Sequence, residues 1–190
     1  MAKIRAFLAA ELPRAMVSRI ASLQERLRSC GADVRWVKPE RIHLTLKFFG
    51  NIEEEQREVI AAIMEEAASR IGAFSLSVRD LGAFPSPRNP RVIWLGLHGW
   101  EENLLPLQRD IESRLQSAGF PPEDRPYRPH LTLGRVKSLK GKEGLVDLME
   151  REREVNLGPM VIDRIVLFRS DLRPTGPVYT PLTVREFSGG

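Results

Sequence analysis

The chain of 190 residues is poor in cysteine, histidine and tyrosine, and it has no long hydrophobic run. Its single cysteine, Cys30, excludes an internal disulfide and a cysteine metal cluster, and it is typical of a reducing, cytoplasmic compartment. No apolar run approaches the ~20 residues that a membrane helix needs. The early run AFLAA meets Glu11 and Pro13 too soon for a signal peptide. We therefore expect a cytoplasmic protein that does not interact with membranes.

Charge of one sign is not concentrated anywhere in the chain. The 29 basic and 25 acidic residues leave a net charge of +4, which is compatible with an anionic substrate. No block of five or more Lys or Arg occurs, so an extended nucleic-acid track is not indicated. The chain also lacks the G-x-S-x-G of serine hydrolases, a P-loop, and an H-x-x-x-H metal motif. We expect neither a metal nor a cofactor.

Hydrophobic periodicity predicts a chain in which strands and helices alternate. Strands are predicted at 3–12, 42–49, 74–81, 91–97, 160–170 and 178–187. Helices are predicted at 13–29, 53–71 and 106–119, with a short one at 145–153. Glycine, proline and polar residues predict a turn at Gly50-Asn51, loops at 84–90 and 138–144, a linker at 121–129 and a turn at 173–177.

The tetrapeptide HLTL occurs twice, at His43–Leu46 and His130–Leu133, and holds two of the three histidines. Each copy follows a strand, a helix and a Ser-x-Gly helix end, at 29–31 and 117–119. This order predicts a degenerate repeat, roughly β-α-β(HLTL)-α-β-β, used twice. We therefore expect one domain over 1–190, made of two pseudo-symmetric lobes, with the HLTL strands lining a central cleft.

The H-x-T pattern on a strand places two chemically useful side chains on one face. Residues two apart share a face, so His43 and Thr45 point together, and His130 and Thr132 repeat this. A single copy is most often structural, but two copies at matched places favour chemistry. One histidine can act as acid and the other as base, while threonine hydroxyls donate to an anionic acceptor. The pattern favours in-line displacement at a phosphodiester, and its symmetry leaves acid and base unassigned.

Five longer segments give the chain a wider resemblance. They are FLAAELP, RWVKPERIHLTLKFFGNI, LGAFPSPRNPRVIWLGL, YRPHLTLGRV and RIVLFRSDLRPTGPVYTPL. With the paired motif, they resemble the 2H phosphoesterase superfamily and, within it, the bacterial and archaeal RNA 2′,3′-cyclic phosphodiesterase family, historically called 2′-5′ RNA ligases. The resemblance implies an α+β fold with an antiparallel sheet flanked by helices in each lobe. It also implies metal-independent opening of the cyclic phosphate to a 2′-phosphomonoester.

The same resemblance implies roles for the motif residues. His43 resembles the proton donor to the leaving 3′ oxygen, and His130 resembles the base that activates water. Thr45 and Thr132 resemble the donors to the phosphate oxygens. The implied partner is RNA with a 2′,3′-cyclic phosphate end, tRNA fragments among the candidates, and we expect a monomer. With an RNA 5′-hydroxyl in place of water, the same site would form a 2′-5′ linkage without ATP.

Two other functions stay open at this point. One is a 2H phosphodiesterase that acts on another small cyclic phosphate or on a 2′-5′ oligonucleotide, because specificity would lie in loops such as 84–90 and 121–129. The other is a non-catalytic module that binds RNA ends. Two intact copies of histidine and threonine favour an enzyme, since binding alone does not require two proton-transfer groups.

Five further residues are candidates for substrate binding. Strand parity places Lys47 in the cleft, with a solvated rim lysine as the alternative, and Phe48 in the core, with base stacking as the alternative. Arg135 matches a basic position that the family places near the substrate, but its parity is wrong unless a bulge at Gly134 re-aims it. Tyr127 and Arg128, just before His130, are expected to flank a nucleobase.

Overall fold

A computed structural model describes residues 3–174 and 176–189, which form nine strands and four helices. The strands are β1 Lys3–Glu11, β2 Val34–Trp36, β3 His43–Glu53, β4 Phe74–Ser86, β5 Asn89–His98, β6 His130–Val136, β7 Asn156–Ile162, β8 Arg164–Arg173 and β9 Gly176–Glu186. The helices are α1 Arg14–Arg28, α2 Gln56–Ala68, α3 Leu104–Ser117 and α4 Lys142–Arg151, with a 3-10 turn at Pro39–Arg41. In this part of the chain, no helix is long and apolar enough to cross a membrane.

The strands form two antiparallel sheets, in the orders β3-β1-β8-β9 and β2-β6-β5-β4-β7. When the HLTL strands β3 and β6 are matched, β3-β1-β8-β9 corresponds to β6-β5-β4-β7, and β2 is an extra edge strand. The predicted bilobal α+β fold with an antiparallel sheet in each lobe is therefore confirmed. The lobes are not successive halves of the chain, because the first sheet combines β1 and β3 with β8 and β9.

The helices are exchanged between the two lobes. Helix α1 follows β1 of the first sheet but packs near β7 and α4 of the second, while α3 follows β5 of the second sheet and packs on α2 and β3 of the first. The buried amide of Gln24 in α1 donates hydrogen bonds to the carbonyls of Val37 (2.8 Å) and Leu133 (3.0 Å). Helix α1 is thereby attached to the second HLTL strand.

Strand β1 shows how the alternation of side chains separates the main core from the cleft. Ile4, Ala6, Leu8 and Ala10 belong to the main core, which is shared with the helices. The intervening positions face the other way and join a second, smaller apolar cluster, whose buried members are Phe7, Ala9, Val166 and Phe168. This cluster lies on the cleft face of the first sheet, so that sheet buries apolar area on both faces.

Two predicted turns are parts of strands. Strand β3 continues through Gly50-Asn51 to Glu53, because Gly50, at a φ of +71°, accommodates an irregularity in the strand rather than reversing it. The predicted loop 84–90 is instead the tip of the β4–β5 hairpin, where Pro85 lies opposite Pro90. The register is already irregular at that point, which is where a strand tolerates proline.

The predicted strand 160–170 is wrong, because it spans the end of β7 and most of β8, which belong to different sheets. Asp163 alone separates the two strands within an apolar run, so the sequence gives little sign of the break.

The remaining boundaries differ less from the predicted ones. Residues 121–129 are irregular, as the linker prediction required, while α4 begins three residues earlier than predicted, at Lys142, and shortens the loop before it. Strand β2 was not predicted, because three residues are too few to show a period. The predicted turn 173–177 contains Thr175, which lies outside the described residues.

Candidate active site

The first HLTL strand carries a β-bulge directly after its H-x-T pair. Leu46 has no partner on β1, whereas Thr45 and Lys47 on either side of it do. A bulge shifts the alternation of side chains by one residue, so Leu46 and Lys47 are both buried and Phe48 is 46% exposed. The expectation that Phe48 lies in the core is therefore wrong. Lys47 is buried, so it is not a solvated rim lysine.

The second HLTL strand has the same bulge at the matched residue. Leu133 has no partner on β5, Gly134 after it is buried, and Arg135 is exposed. A β-carbon on Gly134 would lie only 2.8 Å from Val34 Cγ1 and 3.0 Å from Trp36 Cε3, so a larger residue would not fit there. The bulge considered at Gly134 is therefore present, and it leaves Arg135 exposed, while its part in substrate binding stays a prediction. Arg135 occupies the place in its lobe that Phe48 occupies in the other.

Both motif histidines are oriented by the same local hydrogen bond. Nδ1 of His43 lies 2.9 Å from the carbonyl oxygen of Arg41, and Nδ1 of His130 lies 2.7 Å from that of Arg128. A carbonyl only accepts, so each Nδ1 carries a proton, and each Nε2 is left free to take or give one. Among the described residues, neither ring makes another hydrogen bond. Both rings therefore have the same nitrogen available for proton transfer.

The two histidines differ in their surroundings. The ring of His43 stacks on Phe7 with a centroid separation of 4.6 Å and meets Tyr179 edge-on at 5.3 Å. This burial lowers the pKa of His43, although its hydrogen bond to Arg41 acts in the opposite direction. His130 is partly exposed and meets Phe84 edge-on at 5.3 Å. In the free protein, His43 is therefore biased towards its neutral form.

A cavity of about 930 Å³ lies between the two HLTL strands and the linker 121–129. Seven of the nine predicted site residues line it: Thr45, Lys47, Phe48, Tyr127, Arg128, His130 and Thr132. His43 and Arg135 do not line this cavity. Within 3–174 and 176–189, the hydroxyls of Thr45 and Thr132 form no hydrogen bond to the protein, so both are available to a ligand.

Lys47 attaches this linker to the first lobe. Its ammonium is 2.9 Å from Glu112 Oε1 and donates to the carbonyl of Pro121 at 2.8 Å. Glu123 lies further away, at 3.7 Å, and its backbone N–H donates to the same Glu112 oxygen. The Lys47 ammonium thus binds groups of the protein itself, and it holds in place the linker that leads into the second motif.

Tyr127 makes a second connection between the two motifs. Its hydroxyl donates to the backbone carbonyl of Thr45 at 3.0 Å, and burial raises its pKa, so it stays neutral. Arg128, the next residue, is exposed and lines the cavity. Tyr127, which was predicted to flank a base, is therefore hydrogen-bonded to the first HLTL strand.

Sequence reasoning missed the aromatic and basic neighbours of the histidines. Phe7 follows from the alternation in β1, but only once that strand is known to pair with β3. Phe84 falls in a segment whose prolines predict a loop, and Tyr179 lies far away in sequence. Arg41 had a visible signal, because an arginine stands two residues before the histidine in both motifs, in RIH and in RPH.

The third histidine lies outside this site. His98 Nε2 is 2.6 Å from Asp80 Oδ2, and its Nδ1 is 2.9 Å from Arg79 Nη2. Across the described residues, no group of three or more His, Cys, Asp or Glu side chains is arranged to hold a metal ion. Two lobes with one H-x-T strand each, opposed across a cleft, define a phosphoesterase of the two-histidine class.

Comparison with known families agrees with this class. The model of the LigT like Phosphoesterase family matches residues 11–94 and 99–179, and each matched segment contains one HLTL copy. The chain belongs to the LigT-like phosphoesterases.

Curated relatives cover nearly the whole chain. The RNA 2′,3′-cyclic phosphodiesterase of Methanothermobacter thermautotrophicus is 38% identical over 182 residues, which are 96% of this chain and 98% of that protein. The protein of the same name from Thermotoga maritima is 31% identical, over 98% of this chain and 97% of its own.

Solved structures show the same fold. TT0787 of Thermus thermophilus superimposes with a TM-score of 0.84 at 28% identity, over 97% of this chain and 98% of that one. LigT of E. coli, solved in complex with 3′-AMP, gives a TM-score of 0.77 at 24% identity, over 98% and 99% of the two chains.

Proposed function

We propose that this chain hydrolyses RNA 2′,3′-cyclic phosphate ends to 2′-phosphomonoesters by acid and base catalysis from two histidines. The observation that carries the proposal is the matched setting of His43 and His130. Each ring has its Nδ1 held by the carbonyl two residues earlier, which leaves Nε2 for proton transfer. The relatives that are more than 30% identical over nearly the whole chain carry the name of this activity.

In the proposed reaction, His130 Nε2 takes a proton from water as the water oxygen attacks phosphorus. The bond from phosphorus to the 3′ oxygen breaks, and that oxygen takes a proton from His43 Nε2. The products are a 2′-phosphomonoester and a free 3′-hydroxyl, with one proton moved from His43 to His130 overall. Each histidine can contribute roughly 10²–10⁴-fold to the rate.

The threonines are proposed to donate hydrogen bonds to the two non-bridging phosphate oxygens. Their hydroxyls have no protein partner among the described residues, and both line the cavity. Donors placed where charge develops are worth roughly 10²–10³-fold each in other enzymes. The negative phosphate also acts on His43, because a nearby anion favours the charged imidazolium and offsets the effect of burial on its pKa.

Three further properties belong to the proposal. With an RNA 5′-hydroxyl in place of water, the same proton transfers would yield a 2′-5′ phosphodiester without ATP. The protein is proposed to act as a monomer in the cytoplasm, where Cys30 stays a free thiol. Its substrates are proposed to include tRNA fragments. Size-exclusion chromatography with light scattering tests the monomer, and comparison of rates on tRNA-derived and synthetic ends tests the substrate.

The test uses an oligonucleotide that ends in a 2′,3′-cyclic phosphate, with EDTA present. We expect unchanged turnover and a 2′-phosphate product, identified by its resistance to a 3′-specific phosphatase. Loss of all turnover on chelation would contradict a metal-free mechanism. A 3′-phosphate product would mean that His43 and His130 exchange roles. Binding without turnover would indicate a binding module, and turnover only of small cyclic phosphates or 2′-5′ oligonucleotides would indicate the related enzyme.

A further inference from the structure

Four arginines from separate segments of the chain lie near the start of β9, three of them around Tyr179 and the fourth, Arg35, beside Gly176. They are Arg5 in β1, Arg35 in β2, Arg41 in the 3-10 turn and Arg135 in β6, and they are called the arginine cluster below. No two of them are close in sequence except Arg35 and Arg41, so no basic run marks them. Folding brings them to the cleft face beside the first motif.

Two members of the cluster lie directly opposite each other. Arg35 and Arg135 are cross-strand partners between β2 and β6. Val34 and Trp36 pack against the core, so Arg35 points to the opposite face, which is the face of Arg135. Like charges directly opposite on one face are destabilising. This pair therefore weakens the free protein unless something negative lies between them.

The other two members are placed by different contacts. A β-carbon on Gly176 would lie 3.2 Å from Arg41 Nη1 and 3.7 Å from Arg35 Nη2, so both guanidinium groups reach the same point. The guanidinium of Arg5 lies over the ring of Phe48, 4.8 Å from its centroid. Within the described residues, no member of the cluster forms an ion pair with a carboxylate.

The arginine cluster adjoins His43, the proposed proton donor. The carbonyl of Arg41 holds His43, and Tyr179 touches the ring of His43. Burial raises the pKa of Tyr179, and the charges of Arg41, Arg135 and Arg5 act on it in the opposite direction. Three of the four positive charges are thus felt at one hydroxyl next to the histidine.

We propose that the arginine cluster binds backbone phosphates of the RNA strand upstream of the cyclic phosphate, so that the preferred substrate is an oligonucleotide rather than a cyclic mononucleotide. This inference rests on the proposed function. Unpaired guanidinium groups bind phosphate oxygens through two parallel hydrogen bonds, which suits several phosphates in a row. Phosphates on the strand would also relieve the repulsion between Arg35 and Arg135.

The test compares two substrates on the same protein variants. One is adenosine 2′,3′-cyclic phosphate, and the other is an oligoadenylate of four nucleotides with the same cyclic end. The variants are Arg35→Gln, Arg41→Gln and their double, with Arg70→Gln as the matched control, because Arg70 is exposed and follows α2 outside the cluster. The readout is kcat/KM at several salt concentrations.

We expect the double variant to lose at least about tenfold more kcat/KM on the oligonucleotide than on the mononucleotide. The slope of log kcat/KM against log salt, measured on the oligonucleotide, should become shallower by roughly 0.7 for each arginine removed. The Arg70 control should match the wild type on both substrates. Equal losses on both substrates, or an unchanged slope, would overturn the inference. If the wild type turns over neither substrate, it is the proposed function that fails.

Discussion

The hydroxyl of Tyr127 donates a hydrogen bond to the backbone carbonyl of Thr45 at 3.0 Å. Tyr127 lies three residues before the second motif histidine, and Thr45 is part of the first motif. The bond therefore connects the two halves of the site directly, across a separation of 82 residues. Four tests of the structure and the site follow from contacts of this kind.

The first test removes only the Tyr127 hydroxyl. Tyr127→Phe removes the hydroxyl that donates to the Thr45 carbonyl in a partly buried place, so we expect the free energy of unfolding to fall by roughly 1–3 kcal/mol. Urea denaturation measures this. Tyr179→Phe is the control, because the Tyr179 hydroxyl makes no hydrogen bond to the described residues, and its loss should cost little. Equal losses in the two variants would mean that the bond to Thr45 adds nothing.

The second test concerns the buried charge of Lys47. Lys47→Met leaves Glu112 without its main partner, and breaking a buried pair from one side costs roughly 3–5 kcal/mol of unfolding free energy. The Lys47→Met, Glu112→Leu double variant should lose less than the single one, because no uncompensated charge remains. Arg153→Met removes the exposed pair with Glu150 and should cost under about 1 kcal/mol. A Lys47 variant as stable as the Arg153 variant would contradict the conclusion that Lys47 and Glu112 form a stabilising buried ion pair.

The third test follows the proton on His43. Burial lowers its pKa in the folded protein, so below its ordinary value of about 6.5 the unfolded chain binds a proton there more readily. The contribution of His43 to the free energy of unfolding therefore decreases as the pH falls from about 6.5 towards the pKa of His43 in the folded protein. NMR titration of the His43 ring should give a pKa below about 6.5 in the free protein, and a higher one with a bound nucleotide 2′-phosphate. A free-protein value at or above 6.5 would contradict the burial effect.

The fourth test concerns the exposed ring of Phe48. Phe48→Ala should raise KM for nucleotide substrates by roughly fivefold or more, since stacking one base on an aromatic ring is worth about 1–3 kcal/mol. Because the ring is 46% exposed, the free energy of unfolding should change little. Leu139→Ala is the control, as Leu139 is 77% exposed and does not line the cavity. An unchanged KM would exclude a stacking role.

The features that occur twice in the chain could be predicted from the sequence. The two HLTL copies, the helix ends before them and the strand periodicity predicted two lobes with an H-x-T pair on each. The burial of Lys47 and the exposure of Phe48 could not be predicted, because a bulge at Leu46 reverses parity and only pairing with β1 reveals it. At Arg135 the glycine before it supplied the missing signal.

Features that depend on long-range pairing were beyond the sequence. The exchange of α1 and α3 between the lobes leaves no local pattern, because the apolar stripe of a helix does not show which sheet will cover it. The arginine cluster is invisible for the same reason. Its members lie in four elements, and their meeting depends on β2 pairing with β6. Phe84 was missed because the prolines around it predicted a loop.

The most direct measurement is the turnover of His43→Ala and His130→Ala on an oligonucleotide with a 2′,3′-cyclic phosphate end. His98→Ala is the control, since His98 is bound to Asp80 outside the site. Circular dichroism and thermal unfolding establish that each variant is folded. Two-histidine catalysis predicts a loss of kcat of at least about 100-fold for each motif histidine and none for His98. Wild-type turnover in either folded motif variant would contradict it.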